Sequence, residues 1–296
     1  MTRRPRAEST DIDHYTRAAR ASSATVIGQY STSFGLATRL LAPPVRSRVE
    51  TVYALVRIAD EIVDGAAGGA GLGVAAQREL LDDLERETAQ ATLRGYSTNL
   101  VVHAFAATAR LVGIDARLTA PFFASMRRDL DPAPLDQAGV TEYIYGSAEV
   151  IGLMCLRCFL HEAPPAGGES AVLEDGARRL GAAFQKINFL RDLAGDRDIL
   201  GRNYFPGVDV DMTDAEKDRI LDDIDADLAA AGRVLPLLPA DSRRAVTLAH
   251  HLFWRLSTRL RATPARQLLR ARVRVPDAEK LMIAVTAAFG SGAWKR

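Results

Sequence analysis

The sequence predicts a protein with one all-α domain. Apolar residues recur every three or four positions along most of the chain, whereas the strict alternation of a β-strand is almost nowhere found. Proline and glycine separate the periodic runs, and no charge block or long linker divides the 296 residues. We therefore expect a disordered basic N-terminus over 1–10, followed by a single domain over 11–296 with a substantial core.

The predicted helices follow one another with turn residues between them. Pro43-Pro44 predicts a helix start, because proline fits the first helical turn, and the glycine-rich stretch 65–73 predicts the end of that helix. Prolines and glycines over 164–168 separate a central helix from the next one. The periodicity predicts helices over 10–42, 45–64, 74–94, 97–112, 117–130, 137–161, 170–200, 213–234, 239–262 and 276–290.

The composition argues against nucleic-acid binding and indicates where in the cell the protein is located. A net charge of +1 gives no basic field, so we expect no nucleic-acid partner. The arginines of the first six residues are not followed by the apolar stretch of a signal peptide, and the longest uncharged apolar segment, Leu281–Trp294, is too short to span a bilayer. We expect a cytoplasmic protein, with peripheral membrane contact through Leu281–Trp294 as the alternative to its burial. The pattern does not predict the oligomeric state.

The two cysteines, Cys155 and Cys158, have the C-x-x-C spacing of redox and zinc sites. A zinc site needs further ligands, and the five histidines show no ligand spacing that would supply them. The surrounding run is apolar and lacks the βαβ pattern of a thioredoxin-like protein. We predict buried, inert thiols.

Two acidic motifs of the form Asp-x-x-x-Asp lie on predicted helices. Asp60 and Asp64 form the first motif, and Asp192 and Asp196 form the second. Carboxylates four residues apart project from the same face of a helix. Two such faces turned toward each other form a cage of hard oxygen ligands, which suits Mg²⁺ held by a few carboxylates and by substrate phosphates. The motifs therefore predict diphosphate chemistry.

A helical wheel gives each acidic helix a polar stripe in front of an apolar back. The stripes comprise Val49, Tyr53, Val56, Arg57, Asp60 and Asp64 on the first helix, and Gly181, Gln185, Asn188, Asp192 and Asp196 on the second. A solvent-facing helix would explain either motif alone. The neutral oxygen donors Gln185 and Asn188, and the phosphate-binding residue types Tyr53 and Arg57, favour a cavity instead.

Five blocks of the chain, in order, resemble the squalene/phytoene synthase family. They are Ser33-Phe34 with Leu40-Leu41 and Arg46; residues 53–64; Tyr143-Ile144-Tyr145 with Ala148 and 151–154; Leu180-Gly181 with Gln185, Asn188, 190–192, Asp196, Gly201-Arg202, Tyr204 and Pro206; and Arg272-Val273 with Pro276 and Lys280-Leu281. The chain departs from the family pattern at Gly195, where a glutamate is usual, at Glu149, where a glycine is common, and at Phe253, where a tyrosine is often found. The stretch 192–202 is also one residue longer than usual.

The resemblance implies an isoprenoid synthase fold, with helices around a central catalytic cavity. It implies that Mg²⁺, or Mn²⁺ in its place, is held by Asp60, Glu61, Asp64, Asn188, Asp192 and Asp196. Prenyl diphosphates would be bound by Ser33, Phe34, Tyr53, Arg57, Ala148, Asn188, Arg191, Arg202 and Tyr204. Catalytic roles fall to the four aspartates and to Tyr143 and Gln185, which would lie beside the carbocation and the departing diphosphate.

The resemblance also implies a reaction, the head-to-head condensation of two prenyl diphosphates through a cyclopropylcarbinyl diphosphate. Residues 57–64 look most like the bacterial phytoene synthases of carotenoid biosynthesis. We therefore expect two geranylgeranyl diphosphates to give phytoene, without NADPH. The alternative is a squalene, dehydrosqualene or presqualene diphosphate synthase that uses farnesyl diphosphate.

Two further hypotheses belong to other classes. One is a non-catalytic helical prenyl-lipid carrier or assembly factor, which loss of the acidic motifs would mark; both motifs are present. The other is a head-to-tail isoprenoid synthase. Such enzymes lack the Tyr-x-x-x-Arg-x-x-Asp pattern of residues 53–60 and the tail from Arg202 to Pro206.

Overall fold

The computed structural model of the protein describes residues 10–131, 133–165, 167–200, 205, 212–268, 273–276 and 283, without the side chains of 32, 33 and 193–200. In these ranges the regular structure is helical. The α-helices are α1 (Asp11–Tyr30), α2 (Thr32–Thr38), α3 (Pro43–Val63), α4 (Ala66–Gly69), α5 (Val74–Arg94), α6 (Leu100–Val112), α7 (Ala116–Asp129), α8 (Gln137–Ile144), α9 (Val150–Leu160), α10 (Glu169–Leu200), α11 (Asp214–Val234), α12 (Ala240–Ala262) and α13 (Ala265–Leu268). A π-helical turn (Tyr145–Glu149) joins α8 to α9. The predicted disordered residues 1–9 and nearly all of the predicted helix over 276–290 lie outside the described residues.

Most helix ends follow the capping residues that the sequence supplies. Thr10 and Thr213 begin α1 and α11 with capping boxes, in which the threonine hydroxyl accepts from a backbone N–H and an acidic side chain three residues later accepts in return. Asn99 caps α6 in the same position. Gly95 and Gly113 end α5 and α6 with positive φ angles of 83° and 76°, which glycine adopts without a steric penalty.

Two predicted helices are interrupted, and the predicted bounds were wrong for the first of them. The segment 10–42 breaks at Ser31, which has an extended backbone and whose hydroxyl accepts a hydrogen bond from the Phe34 amide at 3.1 Å. A serine that caps a new helix competes with continuation of the old one, and this is the physical reason for the break. The segment 137–161 keeps its helical course but contains the π-turn. The glycine stretch 65–73 also holds the short helix α4.

The π-turn lies against α7 at very close range. A Cβ atom added to Gly146 would lie 2.2 Å from the backbone oxygen of Pro121 and 2.1 Å from the Ser125 hydroxyl. On the other side, a Cβ at Gly181 of α10 would lie 2.6 Å from the Ala148 carbonyl oxygen. Glycine therefore lets three helical segments approach more closely than side chains would permit. This approach fixes the π-turn between α7 and α10.

Two large apolar clusters flank the centre of the molecule. One is built around α3, α5, α6, α7 and α9 and includes the fully buried Phe105 and Phe123. The other joins α10, α11 and α12 around Ile187, Leu221 and Leu228. Within the described residues, one helical stretch, Gln137–Leu160, is long and apolar enough to cross a membrane. It packs against both α7 and α10, as a core helix does.

Candidate active site

A cavity of about 930 Å³ lies between the two clusters. The acidic helices α3 and α10 both line it, and along α10 the lining residues run from Leu173 to Asp192. At the rise of an α-helix these two residues are about 28 Å apart. The Asp192 end carries carboxylates, whereas the Leu173 end is lined by buried leucines of α9, α10 and the turn that follows α11. The cavity is therefore elongated, charged at one end and apolar at the other.

The predicted face of α3 is the face that lines the cavity. All six residues of its stripe, from Val49 to Asp64, are among the lining residues. Leu55 and Ala59 lie behind, at 1% and 0% exposure. The helical period of the sequence thus decides which side chains of α3 meet a ligand.

The face of α10 agrees with its prediction over the described residues. Gly181, Gln185, Asn188 and Asp192 line the cavity. Ala183, Ile187 and Leu190 are fully buried on the opposite side. The two acidic motifs therefore share one cavity, through Asp60 and Asp64 on one wall and Asp192 on the other.

Arg57 is the most heavily contacted cation of the cavity wall. Its guanidinium donates to Asp60 Oδ2 at 2.5 Å and to the Tyr53 hydroxyl at 3.4 Å, and it lies 3.6 Å from Glu61 Oε1. The Tyr30 ring stacks on it, with 5.0 Å from Cζ to the ring centroid. Burial works against this charge, but the Tyr53 hydroxyl and the Asp60 carboxylate outweigh it and raise the pKa of Arg57.

Arg191 makes a similar pair on the opposite wall. Its Nε donates to Asp192 Oδ1 at 3.0 Å, and its Nη2 donates to Oδ2 of the same carboxylate at 2.6 Å. This is the bidentate geometry in which guanidinium binds carboxylates and phosphates most strongly. Both arginines are thus placed where a diphosphate would meet the acidic motifs.

Tyr143 and Asp129 form a buried pair in the cavity wall. The Tyr143 hydroxyl donates to Asp129 Oδ1 at 2.7 Å, and the two residues are only 6% and 8% exposed. Asp129 is the last residue of α7, and Tyr143 lies in the last turn of α8, which leads into the π-turn. The pair fixes the tyrosine oxygen in the wall of the cavity that Gln185 and Asn188 of α10 also line.

Three phenylalanines form an aromatic wall. Phe184 of α10 stacks on Phe253 of α12, with 3.7 Å between ring centroids and 20° between planes. Phe34 of α2 lies 5.9 Å from Phe184 and 5.8 Å from Phe253. All three line the cavity. An aromatic face attracts a cation without offering it a nucleophile, so this wall suits a carbocation.

The donor set fits a divalent cation. Asn188 Oδ1 is buried in the wall and has no hydrogen-bond partner within the described ranges, so this amide oxygen can take a cation. The carboxylates of Asp60, Asp64 and Asp192 line the same cavity. Oxygen ligands of this kind are those that Mg²⁺ and Mn²⁺ prefer. In the part of the chain that the structure describes, no three His, Cys, Asp or Glu side chains converge on one point.

The family follows from comparison with known proteins. The family model for squalene/phytoene synthases matches residues 27–279. The chain belongs to the squalene/phytoene synthase family. The matched range contains both acidic helices, the π-turn and the aromatic wall. The predicted family is therefore confirmed, as is the prediction of an enzyme rather than a carrier.

Relatives within the family include phytoene synthases. The chain is 28% identical over 289 residues to 15-cis-phytoene synthase of Paracoccus sp. (strain N81106 / MBIC 01143), a match that covers 92% of this chain and 90% of that protein. It is 27% identical over 225 residues to Phytoene synthase 3, chloroplastic, of Zea mays, which covers 74% of this chain and 50% of that protein. The chain is a prenyltransferase of the phytoene/squalene synthase type, which condenses prenyl diphosphates head to head.

Solved structures confirm the isoprenoid synthase fold. A dehydrosqualene synthase in complex with ligand superposes with a TM-score of 0.76 at 21% identity, over 94% of this chain and 98% of that chain. The squalene synthase HpnC from Alicyclobacillus acidocaldarius superposes with a TM-score of 0.72 at 18% identity, over 89% and 98% of the two chains. These superpositions show that the helices follow the same fold in the three proteins.

Some of the family residues predicted for the site are placed elsewhere or lie outside the described parts. Glu61 turns toward α4, where its Oε2 accepts from the Ala66 amide at 2.9 Å, and it is not among the lining residues. Its role as a metal ligand stays a prediction. Phe34 and Ala148 line the cavity as the family pattern implies. The side chains of Ser33 and Asp196, and residues Arg202 and Tyr204, lie outside what the structure describes.

The departures from the family pattern have structural explanations where they are described. Glu149 accepts from Arg178 Nε of α10 at 2.7 Å, and that arginine also stacks on Tyr145. Phe253 lacks the hydroxyl group of the tyrosine that is often found there, and its ring stacks on Phe184. Gly195 lies in the part of α10 of which only the backbone is described.

Several residues of the cavity wall were missed by the sequence analysis, among them the polar and aromatic residues Tyr30, Asp129, Ser147 and Phe184. Ser147 is 8% exposed, and its hydroxyl has no hydrogen-bond partner in the described ranges. Phe184 was within reach, because it precedes Gln185 on a helix already assigned to the site. Tyr30 and Asp129 belong to other helices, and their places depend on tertiary packing.

The structure agrees with the prediction of unreactive thiols, but only one of the two cysteines is fully buried. Burial raises the pKa of Cys155 to about 12 and raises that of Cys158 well above its ordinary value, so both thiols stay protonated. Cys158 is fully buried, whereas Cys155 lines the cavity. A neutral thiol there acts as a small apolar group.

Proposed function

We propose that the protein condenses two molecules of geranylgeranyl diphosphate head to head to phytoene, with Mg²⁺ and without NADPH, in carotenoid biosynthesis. The observation that carries the proposal is the cavity, where two acidic helices and their arginines meet at the charged end of an apolar tunnel. Its volume of about 930 Å³ is near the top of the range for drug-sized ligands, roughly 300–1,000 Å³, as long prenyl chains require. The phytoene synthase of Paracoccus, similar over 92% of this chain, supports the choice of product.

Asp60, Asp64, Asn188 and Asp192, with Asp196, would hold Mg²⁺, which stabilises the charge of a departing diphosphate. Arg57 and Arg191 bind diphosphate oxygens from opposite walls, through donors already placed at the acidic motifs. Their stabilisation of the developing charge is of the oxyanion type, about 2.7–4 kcal/mol per donor. Arginines held at the acidic motifs therefore lower the barrier to ionisation.

Each half-reaction breaks one C–O bond and releases one diphosphate and one proton. In the first, the allylic cation of one substrate is attacked by the double bond of the other, and proton loss closes the cyclopropylcarbinyl diphosphate. In the second, this intermediate ionises, rearranges and loses a proton to give the polyene. In the proposed reaction, the wall of Phe34, Phe184 and Phe253 stabilises the cations and excludes water. Tyr143, oriented by Asp129, is proposed to act beside the carbocation and the departing diphosphate.

The test is an assay of the purified protein with Mg²⁺, comparing geranylgeranyl and farnesyl diphosphate, with and without NADPH. We expect phytoene from geranylgeranyl diphosphate alone, identified by chromatography and mass spectrometry. Asp60→Asn and Asp192→Asn should each lower kcat by roughly 10²-fold or more, as loss of a charge-stabilising group does. A product of farnesyl diphosphate only would contradict the substrate, and full activity of both variants would contradict the mechanism.

The chemistry of the proposed substrate also indicates where in the cell the protein is located. We propose a cytoplasmic protein with peripheral membrane contact, because its substrate and product are both apolar over most of their length. The segment Leu281–Trp294, predicted as that contact, lies outside the described residues apart from Ile283, which is buried.

A further inference from the structure

Each acidic motif is paired with an arginine of its own helix. On α3, Arg57 donates to Asp60 Oδ2 at 2.5 Å. On α10, Arg191 binds both oxygens of Asp192, at 3.0 and 2.6 Å. The pairs therefore occupy carboxylate oxygens that a divalent cation would use, and a guanidinium at this distance repels any cation that approaches the same carboxylate.

The surroundings of the two arginine–aspartate ion pairs allow both pairs to break. The side chains of Arg57 and Asp60 are 28% and 42% exposed, and those of Arg191 and Asp192 are 21% and 27% exposed, so solvent weakens both pairs. Arg57 also has supports independent of Asp60, namely the Tyr53 hydroxyl at 3.4 Å and the Tyr30 ring. It can leave the carboxylate and stay in the cavity wall.

We propose that Arg57 and Arg191 exchange partners when substrate binds: each guanidinium moves from its aspartate to a diphosphate oxygen, and the carboxylate takes the divalent cation. This inference rests on the proposed function. Its consequence is that metal and diphosphate bind cooperatively, because each removes what obstructs the other. A metal ion that binds without diphosphate must displace the arginines from the aspartates while no diphosphate is present to bind them, so it binds more weakly.

The experiment measures binding without turnover. Mn²⁺ alone is titrated into the wild-type protein, Arg57→Gln, Arg191→Gln and the double variant, with free Mn²⁺ followed by electron paramagnetic resonance. Binding of inorganic diphosphate is measured separately by calorimetry at saturating Mg²⁺. Arg179→Gln is the matched control, because Arg179 lies on α10 and pairs with Asp175 and Asp227 but is not a lining residue.

Exchange predicts opposite changes in the two affinities. The arginine variants should bind Mn²⁺ alone at least about fivefold more tightly than wild type, the lower end of usual coupling factors, and should bind diphosphate more weakly. Arg179→Gln should change neither affinity. Unchanged or weaker binding of Mn²⁺ alone in the arginine variants would overturn the exchange, even if diphosphate binding fell.

A further variant separates this inference from the proposed function. Asp60→Asn combined with Asp192→Asn should abolish tight Mn²⁺ binding both with and without diphosphate. If that variant binds Mn²⁺ as wild type does, the acidic motifs hold no metal and the proposed mechanism fails together with the exchange. If only the arginine effect is absent, the exchange fails alone.

Discussion

The ring of Tyr30 lies 5.0 Å from the Arg57 guanidinium at the end of α1, and half of this tyrosine is exposed to solvent. It has no assigned role in the reaction, yet it limits where the guanidinium can point. A cation–π contact at a partly exposed site contributes about 0.5–1 kcal/mol. Tyr30 therefore qualifies as a positioning residue for Arg57.

We expect Tyr30→Leu to raise KM for the prenyl diphosphate by roughly two- to fivefold, because the guanidinium loses the face that holds it. Tyr30→Phe keeps the ring and should behave as wild type. Steady-state kinetics of both variants check this. An equal loss in Tyr30→Phe would show that the hydroxyl acts instead of the ring.

Among individual residues of the cavity wall, the sequence predicted those that lie on the periodic face of one helix. It missed those that tertiary packing brings to the cavity from other helices. Tyr53, Arg57, Gln185 and Asn188 could be predicted because one helical wheel places them beside an aspartate. Asp129 could not, because its partner Tyr143 lies across a connection between helices.

At the scale of elements, the π-turn is held by the contact of Gly146 with α7. A Cβ there would lie 2.2 Å from a backbone oxygen, which cannot move as a flexible side chain would. We expect Gly146→Ala to lower the free energy of unfolding by about 1–3 kcal/mol, the usual cost of overpacking. Denaturant unfolding measures it.

The matched control is Gly28→Ala on α1, where a Cβ would have nothing within 4 Å. That change should raise the free energy of unfolding by about 0.5–1 kcal/mol, because alanine is the better helix former. Equal stability changes in the two variants would contradict the close approach at Gly146.

The helices themselves were largely predictable, because proline, glycine and capping residues mark their ends. The π-turn could not be predicted, because its residues continue the helical period of the sequence. The close contacts at Gly146 and Gly181 are visible only in the folded structure. The break at Ser31 was missed for a related reason. A serine inside an apolar run is compatible with either a helix interior or a cap.

At the scale of the whole molecule, two buried histidines couple stability to pH. Burial lowers the pKa of His250, although its hydrogen bond to the Leu228 carbonyl opposes this, and burial with the nearby Arg20 lowers the pKa of His103. The folded protein thus favours neutral rings. Their contribution to stability is complete above the unfolded pKa of about 6.5 and is lost as the pH falls from there toward the lowered folded values.

We expect the free energy of unfolding to fall between pH 7.5 and pH 5.5, by up to about 1.4 kcal/mol per pH unit for each ring. A His103→Gln, His250→Gln double variant should show a shallower dependence over the same interval. Denaturant unfolding at the two pH values compares them. Parallel curves for the two proteins would exclude the histidines as the source.

The dimensions of the cavity could not be predicted from the sequence. Its existence was predicted from two polar stripes, but its volume and the leucines at its Leu173 end depend on how α9, α10 and α11 meet. Because the length of the bound chain depends on that packing, we expect the assay with farnesyl and geranylgeranyl diphosphate to distinguish the two substrates.

The uneven polarity of the cavity makes binding change as the reaction proceeds. In the proposed reaction the substrates are tethered by charge at the end near Asp192, and both tethers are gone once the second diphosphate leaves. The hydrocarbon left behind is retained only by apolar contacts along the tunnel, which a bilayer interior can match. In the proposed reaction, loss of the second diphosphate therefore also removes the charge that anchored the product, and a bilayer interior is a suitable destination for the released hydrocarbon.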